Sequence, residues 1–290
     1  MTRVLVTGAR GQVGHDVAAL LEGRAEVAAH GRESLDLEKP DDIRWCVRDT
    51  KPDVIVNAAA YTAVDRAESE EERARAVNAI APGILAEEAK RAGALLIHYS
   101  TDYVFDGELD RPYVETDAPR PLGAYGRTKL EGERAVAAAA GRFLILRTSW
   151  VYAPRGRNFM LTMLRFAAER DELRVVDDQR GAPTSSLQLA RVTAQLFDAA
   201  RETSGIYHAT ASGATTWFGF AQAIFEARRR TLGDALRMPK LVPIATADYP
   251  TPAKRPKNSV LSNAKLDNVF GVRLGDWREG LEETLEALLD

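Results

Sequence analysis

Through the first 150 residues, short apolar-centred runs alternate with stretches in which apolar residues recur every three to four positions. The runs are Val4-Leu5-Val6, Glu26-Val27-Ala28-Ala29, Asp53-Val54-Ile55-Val56-Asn57, Ala94 to Ser100, and Phe143-Leu144-Ile145-Leu146-Arg147. Each is too short for a helix and reads as a strand, and Asp53 to Asn57 is buried on both faces by its unbroken apolar run. The periodic stretches carry Val17, Leu20 and Leu21, then Val77, Ile80, Ile84 and Leu85, and read as helices. This alternation predicts an α/β fold with a Rossmann-type, doubly wound parallel sheet, whose ligands lie beyond the carboxyl ends of the strands.

After Trp150 the rhythm loosens. A helix is expected from Asn158 to Arg170, with Phe159, Met163 and Phe166 on one side, then a short strand at Leu173-Arg174-Val175-Val176. A polar loop, Asp178 to Thr184, precedes a further helix, and Asp248 to Ser259 is rich in proline and basic residues. The expected division is a dinucleotide-binding domain over 1–150 and a smaller substrate-binding lobe over 151–290, with some of its segments returning to the sheet.

The chemistry gathers at the predicted strand ends. Gly8-Ala9-Arg10-Gly11-Gln12-Val13-Gly14 follows the first strand and opens a helix. Glycines there permit a tight turn and let a pyrophosphate approach the free N–H groups of the helix N-terminus. The spacing is G-x-x-G-x-x-G, so the context of strand and helix carries the reading. The second strand ends at His30-Gly31-Arg32 with no carboxylate to hold a ribose 2′-hydroxyl. Arg32 is either a partner for a 2′-phosphate or a solvated cation, and Asp36-Leu37 lies where adenine would be covered. Ala58-Ala59-Ala60 leaves room either for a cofactor or for close helix packing. The charged run from Asp65 to Arg75 reads as a solvated face.

Ser100-Thr101-Asp102 ends the fourth strand, and Tyr125 and Lys129 sit four positions apart at the start of an alanine- and glutamate-rich helix, on one face. An ammonium beside a phenol favours the phenolate, so Tyr125 is expected to exchange its proton well below its free pKa of about 10. With a hydroxyl to bond a carbonyl oxygen, this is equipment for moving a proton at a carbonyl or alcohol, which usually accompanies hydride transfer. Arg255, between Pro250, Pro252 and Pro256, is either part of a solvated linker or an ordered grip on an anionic substrate.

Composition narrows the alternatives. Hydrophobic residues at 45% support a packed core, and a net charge of -3 argues against a general nucleic-acid binder. The single cysteine, Cys46, excludes an intramolecular disulfide and reads as helix packing in a reducing compartment. Four scattered histidines show no metal-ligand spacing, so no resident metal is expected. No apolar run approaches the roughly 20 residues that span a bilayer, and the N-terminal apolar run is too short for a signal peptide. A cytoplasmic protein without membrane contact is expected.

Together, Gly8-x-x-Gly11-x-x-Gly14, Tyr125-x-x-x-Lys129 and the strand-four hydroxyls resemble the extended short-chain dehydrogenase/reductase family. Longer blocks are similar to the dTDP-4-dehydrorhamnose reductase family within it. They are Val54 to Asp65, Tyr99 to Phe105, Arg147 to Tyr152, Asp178 to Thr184, and Tyr249 to Ala253. The resemblance implies reduction of the 4-keto group of dTDP-4-dehydro-β-L-rhamnose by NADPH, with NADH as an alternative, giving dTDP-L-rhamnose for polysaccharide synthesis. It implies Tyr125 as proton donor, Lys129 as its partner on the nicotinamide ribose, and Thr101 as the catalytic hydroxyl. Asp102 and Trp150 would meet the sugar nucleotide. Gly11, Gln12, Val13, Asp36, Leu37, Ala60, Tyr61, Thr62 and Tyr99 would line the cofactor. Some bacterial relatives bind a divalent ion through acidic helix residues at a dimer interface. Leu187 stands at such a position here, which argues against Mg2+ and leaves a homodimer open. The alternatives are another nucleotide-sugar reaction, such as epimerisation or dehydration, and a non-catalytic NADP-binding regulatory subunit.

Overall fold

Five strands, β1 (Arg3–Thr7), β2 (Glu26–His30), β3 (Val54–Asn57), β4 (Leu95–Thr101) and β5 (Arg142–Thr148), follow the apolar runs, and β6 (Gly205–His208) comes from the second half of the chain. The structure is a computed structural model and describes residues 1–139, 141–199, 203–232 and 238–289. The strand order is β6-β5-β4-β3-β1-β2, with every pairing parallel. The order reverses beside β1, so a crevice opens there at the carboxyl ends. Helices α1 (Gln12–Leu21), α2 (Pro40–Thr50), α3 (Ala81–Ala92) and α4 (Ala124–Ala138) cover the sheet, and α5 (Phe159–Glu169), α6 (Ser186–Ala199), α7 (Trp217–Leu232) and α8 (Trp277–Glu286) follow. Among the described residues no helix is long and apolar enough to cross a membrane.

Successive strand residues serve opposite faces, as a period of two requires. Val4, Val6, Val56, Ile97 and Leu146 pack with Val17 of α1 and Leu189, Val192 and Leu196 of α6. Leu5, Ile55, Leu96 and Ile145 pack with Ile43 of α2, Leu85 of α3 and Val136 of α4. The second half also builds a core of its own, from Tyr152, Met160, Met163, Phe220, Ile224, Trp277 and Leu281. A parallel pair, Glu172–Val176 with Lys240–Ile244, carries Leu173 and Val175 into that core. The two parts meet over α1. There Asn158 Nδ2 donates to Gln12 Oε1 at 2.8 Å, Ser186 Oγ donates to Asp16 Oδ2 at 2.5 Å, and Arg155 pairs with Asp16.

One charged pair lies inside this apolar frame. Arg147 of β5 and Glu133 of α4 are each 2% exposed and joined twice, Nε to Oε1 at 2.9 Å and Nη2 to Oε2 at 2.7 Å. Ser100 Oγ also donates to Glu133 Oε1 at 2.5 Å, and the guanidinium lies 5.1 Å from the Phe105 ring centroid. Removing one partner strands a charge that cannot reach water. Glu133→Leu is expected to cost about 3–5 kcal/mol in urea unfolding, whereas Glu133→Leu with Arg147→Met recovers most of it. A loss below about 1 kcal/mol for the single variant would class the pair with exposed ones.

Candidate active site

β1 ends at Thr7, and Gly8 turns the chain with a φ of +71°. A Cβ on Gly8 would lie 2.7 Å from Ala59 N, and one on Gly14 would lie 2.3 Å from Gly8 O. These glycines are therefore fixed by close approach of backbone to backbone. Gly11 caps α1 in an extended conformation without a side-chain hydrogen bond, so the first helical N–H groups stay available to a ligand. The cleft in front of them has a volume of about 510 Å³. Gly8, Gly11, Gln12, Val13, Arg32, Asp36, Leu37, Ala60, Tyr61, Thr62, Tyr99, Tyr125 and Lys129 line it. Gly14 does not; it packs beneath Gly8. Arg10, Gly156 and Arg157 also line the cleft.

No carboxylate stands at the tip of β2. Arg32 instead pairs with Glu38 at 2.6 Å, Arg73 shares Glu38 at 3.0 Å, and Arg10 pairs with Glu33 at 2.7 Å. Arg32 and Arg10 are both mostly exposed, so these pairs are worth little and exchange readily for a phosphate. The run after Asp65 is no plain solvated face. Glu68 Oε1 accepts the Ala124 N–H at 2.8 Å at the start of α4, and Glu70 Oε2 accepts the Tyr61 hydroxyl at 2.8 Å. Five residues, Ala76–Ile80, form a wide π-turn from which Asn78 reaches back. Its Oδ1 accepts from Tyr61 N at 2.8 Å, and its Nδ2 donates to Tyr61 O at 3.1 Å and Thr128 Oγ1 at 3.2 Å. Asn78 thus ties the 58–62 segment to α4.

α4 enters with Gly126 against the backbone of Tyr103, where a Cβ would lie 2.2 Å from Tyr103 O. That approach brings Tyr125 beside Thr101. Thr101 Oγ1 donates to Asp102 Oδ1 at 2.9 Å. Asp102 is 2% exposed, its Oδ2 has no partner in the protein, and burial pushes its carboxyl up to about 6. Lys129 is 1% exposed and donates to Tyr99 O at 2.6 Å. Burial pushes its ammonium down to about 8, against the opposing charge of Glu133.

The expectation that Lys129 makes Tyr125 more acidic is not met. Desolvation, with the nearby Asp102 charge, pushes the phenol up to about 12, partly offset by the Thr101 hydrogen bond. The ammonium is directed down to the strand carbonyl rather than held against the phenol. Tyr99 serves the site through that carbonyl, because its phenol bonds Thr193 and the Leu189 carbonyl of α6 on the opposite face.

A second cavity of about 640 Å³ lies against the second core, lined by Phe159, Phe166, Arg170, Arg174, Gln179, Trp217, Tyr249 and Arg255 among others. Arg255 is not solvated linker. Its Nη2 bonds Asp65 Oδ2 at 2.9 Å, and Ala253 N donates to Asp65 Oδ1 at 3.2 Å, so the proline-rich stretch is fastened to the first half of the chain. Trp150 has a left-handed backbone, φ +48°, and stacks on Trp217 with ring centroids 3.5 Å apart. Trp217 in turn donates to Gln179 Oε1 at 3.2 Å.

The RmlD substrate binding domain model matches residues 1–289. A dTDP-4-dehydrorhamnose reductase of Burkholderia thailandensis is 51% identical over 99% of this chain and 99% of its own. The chain belongs to the dTDP-4-dehydrorhamnose reductase family. A crystal structure of a family member from Clostridium acetobutylicum, 39% identical, matches 100% of both chains with a TM-score of 0.94. One from Bacillus anthracis, solved in complex with NADP, is 34% identical and matches 99% of this chain and 100% of its own with a TM-score of 0.92.

Arg10, Asn78, Gly156 and Trp217 escaped the sequence reading. Arg10 lies inside the glycine motif and the cationic side chain alone could have drawn attention, but the others act through tertiary contacts that no spacing announces. The indole stack can be tested directly. A Cβ on Gly181 would lie 2.4 Å from Trp150 Cε2. Gly181→Ala is therefore expected to part the indoles and abolish their coupled circular-dichroism band, with the unfolding midpoint of the rest of the chain little changed. An unaltered band would show that Trp150 accommodates the methyl without leaving Trp217.

Proposed function

We propose that this chain reduces the 4-keto group of dTDP-4-dehydro-β-L-rhamnose to dTDP-L-rhamnose with NADPH, accepting NADH as well, and so serves polysaccharide biosynthesis. The observation that carries the reading is that Tyr125 and Lys129 line a glycine-turned cleft, with Thr101 beside Tyr125, in a chain of this family. The cleft fits a dinucleotide. The N–H groups of Gln12 and Val13 would take the pyrophosphate, the 58–62 segment the nicotinamide side, and Arg32 and Arg10 a 2′-phosphate. The bound nicotinamide supplies the hydride.

The chain's own part is proton delivery and positioning. A phenol whose pKa is pushed up to about 12 is protonated throughout the neutral range. An alkoxide is far more basic than that phenolate, so Tyr125 can still protonate the oxygen as negative charge builds on it. Thr101 would turn its hydroxyl from Asp102 Oδ1 to give a second hydrogen bond at the same oxygen, and the unpartnered Asp102 Oδ2 accepts from a sugar hydroxyl. Trp150, backed by Trp217, forms a rigid wall for the sugar ring. The second cavity, with its aromatic and arginine lining, holds the nucleotide end of the substrate, and Arg255 exchanges Asp65 for the diphosphate. This reading treats 1–150 as the dinucleotide-binding domain and 151–290 as the main source of substrate contacts. It places the enzyme in the cytoplasm, in keeping with its lone buried thiol, Cys46.

Turnover of the enzymatically made 4-keto sugar with each cofactor tests the reading. Tyr125→Phe keeps the ring and removes the donor, and is expected to lower kcat on the order of 10²–10⁴-fold with cofactor affinity nearly unchanged. Wild-type turnover in that variant would remove Tyr125 from the chemistry. Arg32→Ala is expected to weaken NADPH several-fold more than NADH in binding titrations. Equal weakening would make Arg32 a surface charge only.

A further inference from the structure

Thr7, Asn57 and His98 stand side by side on β1, β3 and β4, in register. They are 1%, 0% and 0% exposed. Thr7 Oγ1 lies 2.7 Å from Asn57 Oδ1, Asn57 Nδ2 lies 3.0 Å from His98 Nδ1, and His98 Nε2 lies 3.4 Å from Lys129 Nζ. The mechanism above uses none of the three. A buried polar row across an apolar sheet is costly unless every member is satisfied, so its partners constrain one another.

The constraint reaches Lys129. Burial, with the Lys129 charge beside it, pushes His98 well below its ordinary pKa, so the ring is neutral. A neutral imidazole has one donor nitrogen and one acceptor, whereas an ammonium only donates. A charged Lys129 therefore needs Nε2 bare and the hydrogen on Nδ1. That hydrogen needs the oxygen of Asn57, whose amide nitrogen then donates to the Thr7 hydroxyl. In the orientation the structure records, Thr7 Oγ1 donates to Asn57 Oδ1 and Asn57 Nδ2 donates to His98 Nδ1, so Nε2 carries the hydrogen and suits only an uncharged amine. The two amide orientations occupy the same space. The row thus has two self-consistent states, one for each charge state of Lys129.

We propose that His98 is a positioning residue for Lys129: when Lys129 is charged the Asn57 amide turns over and His98 takes the Nδ1–H tautomer, so that Nε2 accepts from the ammonium and fixes it between Tyr99 O and the cleft. The proposal rests on the reading of Lys129 as the charged partner in reduction. Other charged and titratable groups around this lysine are Tyr125 and Glu133 on its own helix, Arg147 of β5 paired with Glu133, and Asp102 beside Tyr125.

Two measurements test it. The first needs no turnover. Long-range nitrogen–proton spectra of the ¹⁵N-histidine-labelled full chain contain only four histidines, and His98→Gln assigns the signal. A neutral His98 with its hydrogen on Nδ1 at neutral pH is expected; an imidazolium or the Nε2–H tautomer there would overturn the proposal, whatever the substrate proves to be. The second is the alkaline limb of kcat/KM. Lys129 must be charged, so activity falls as pH rises through its pKa. His98→Leu removes the acceptor that favours the ammonium and is expected to move that limb down by about one pH unit. His98→Gln, whose carbonyl can stand in for Nε2, returns it. A purely structural role would lower activity at every pH and leave the limb in place, and that result overturns the proposal. Should His98→Leu not fold, the tautomer read from the wild-type spectrum decides the proposal. Wild-type protein without any reductase turnover would instead defeat the functional reading and leave the spectrum to decide the row.

Discussion

The buried ammonium of Lys129 is the constraint around which the site is built. A fully buried charge must find partners, and those nearest are the Tyr99 carbonyl at the end of β4 and the His98 ring. Meeting that need seats α4 on the sheet at one height and one rotation. Gly126 and Gly132 allow it, since a Cβ on Gly132 would stand 2.0 Å from Asn78 O. Once α4 is seated, Tyr125 meets Thr101 and faces the cleft without further adjustment. Glu133, one turn on, is then committed to Arg147, so the charges beneath the helix are balanced in pairs.

The second half of the chain is joined to this frame by β6 in the sheet and by Leu189, Val192 and Leu196 of α6 packed on it, with polar contacts beside them. Asp16 on α1 takes both Arg155 and Ser186, and Asp65 takes Arg255. Such contacts are individually modest, and the Asp65–Arg255 pair is partly exposed. That suits a boundary which must admit a large anionic substrate. The shared apolar packing keeps the halves together, and the polar clasp of Asp65 with Arg255 can exchange partners.

The sheet was legible because its central strands, β3 and β4 above all, are buried on both faces and leave unbroken apolar runs. β6 was not, since Gly205-Ile206-Tyr207-His208 is short and ends in a buried histidine that no periodicity marks. The glycine turn and the Tyr125–Lys129 spacing placed the cleft correctly, because backbone approach and helix geometry are local. What failed was the electrostatics. The i,i+4 rule puts phenol and ammonium on one helix face but not toward each other, and the direction of the ammonium depends on a carbonyl contributed by another strand. The charged run after Asp65 misled for a similar reason: its carboxylates are spent on Ala124, Tyr61 and Arg255, which lie far off in sequence.

Desolvation acts on the two central groups in opposite senses, and this decides what the site can do. It raises Tyr125, whose charged form is the anion, and lowers Lys129, whose charged form is the cation. Both therefore drift toward their neutral forms, and the phenol is left a poor base and a secure reservoir for one proton. Such a pair is suited to giving a proton to a newly formed alkoxide, the reductive direction. The oxidative direction would ask the same phenol to become an anion beside Asp102, which the surroundings oppose. For the lysine this drift is opposed by the Glu133 carboxylate on its own helix, while the Tyr99 carbonyl accepts from the ammonium and fixes its direction.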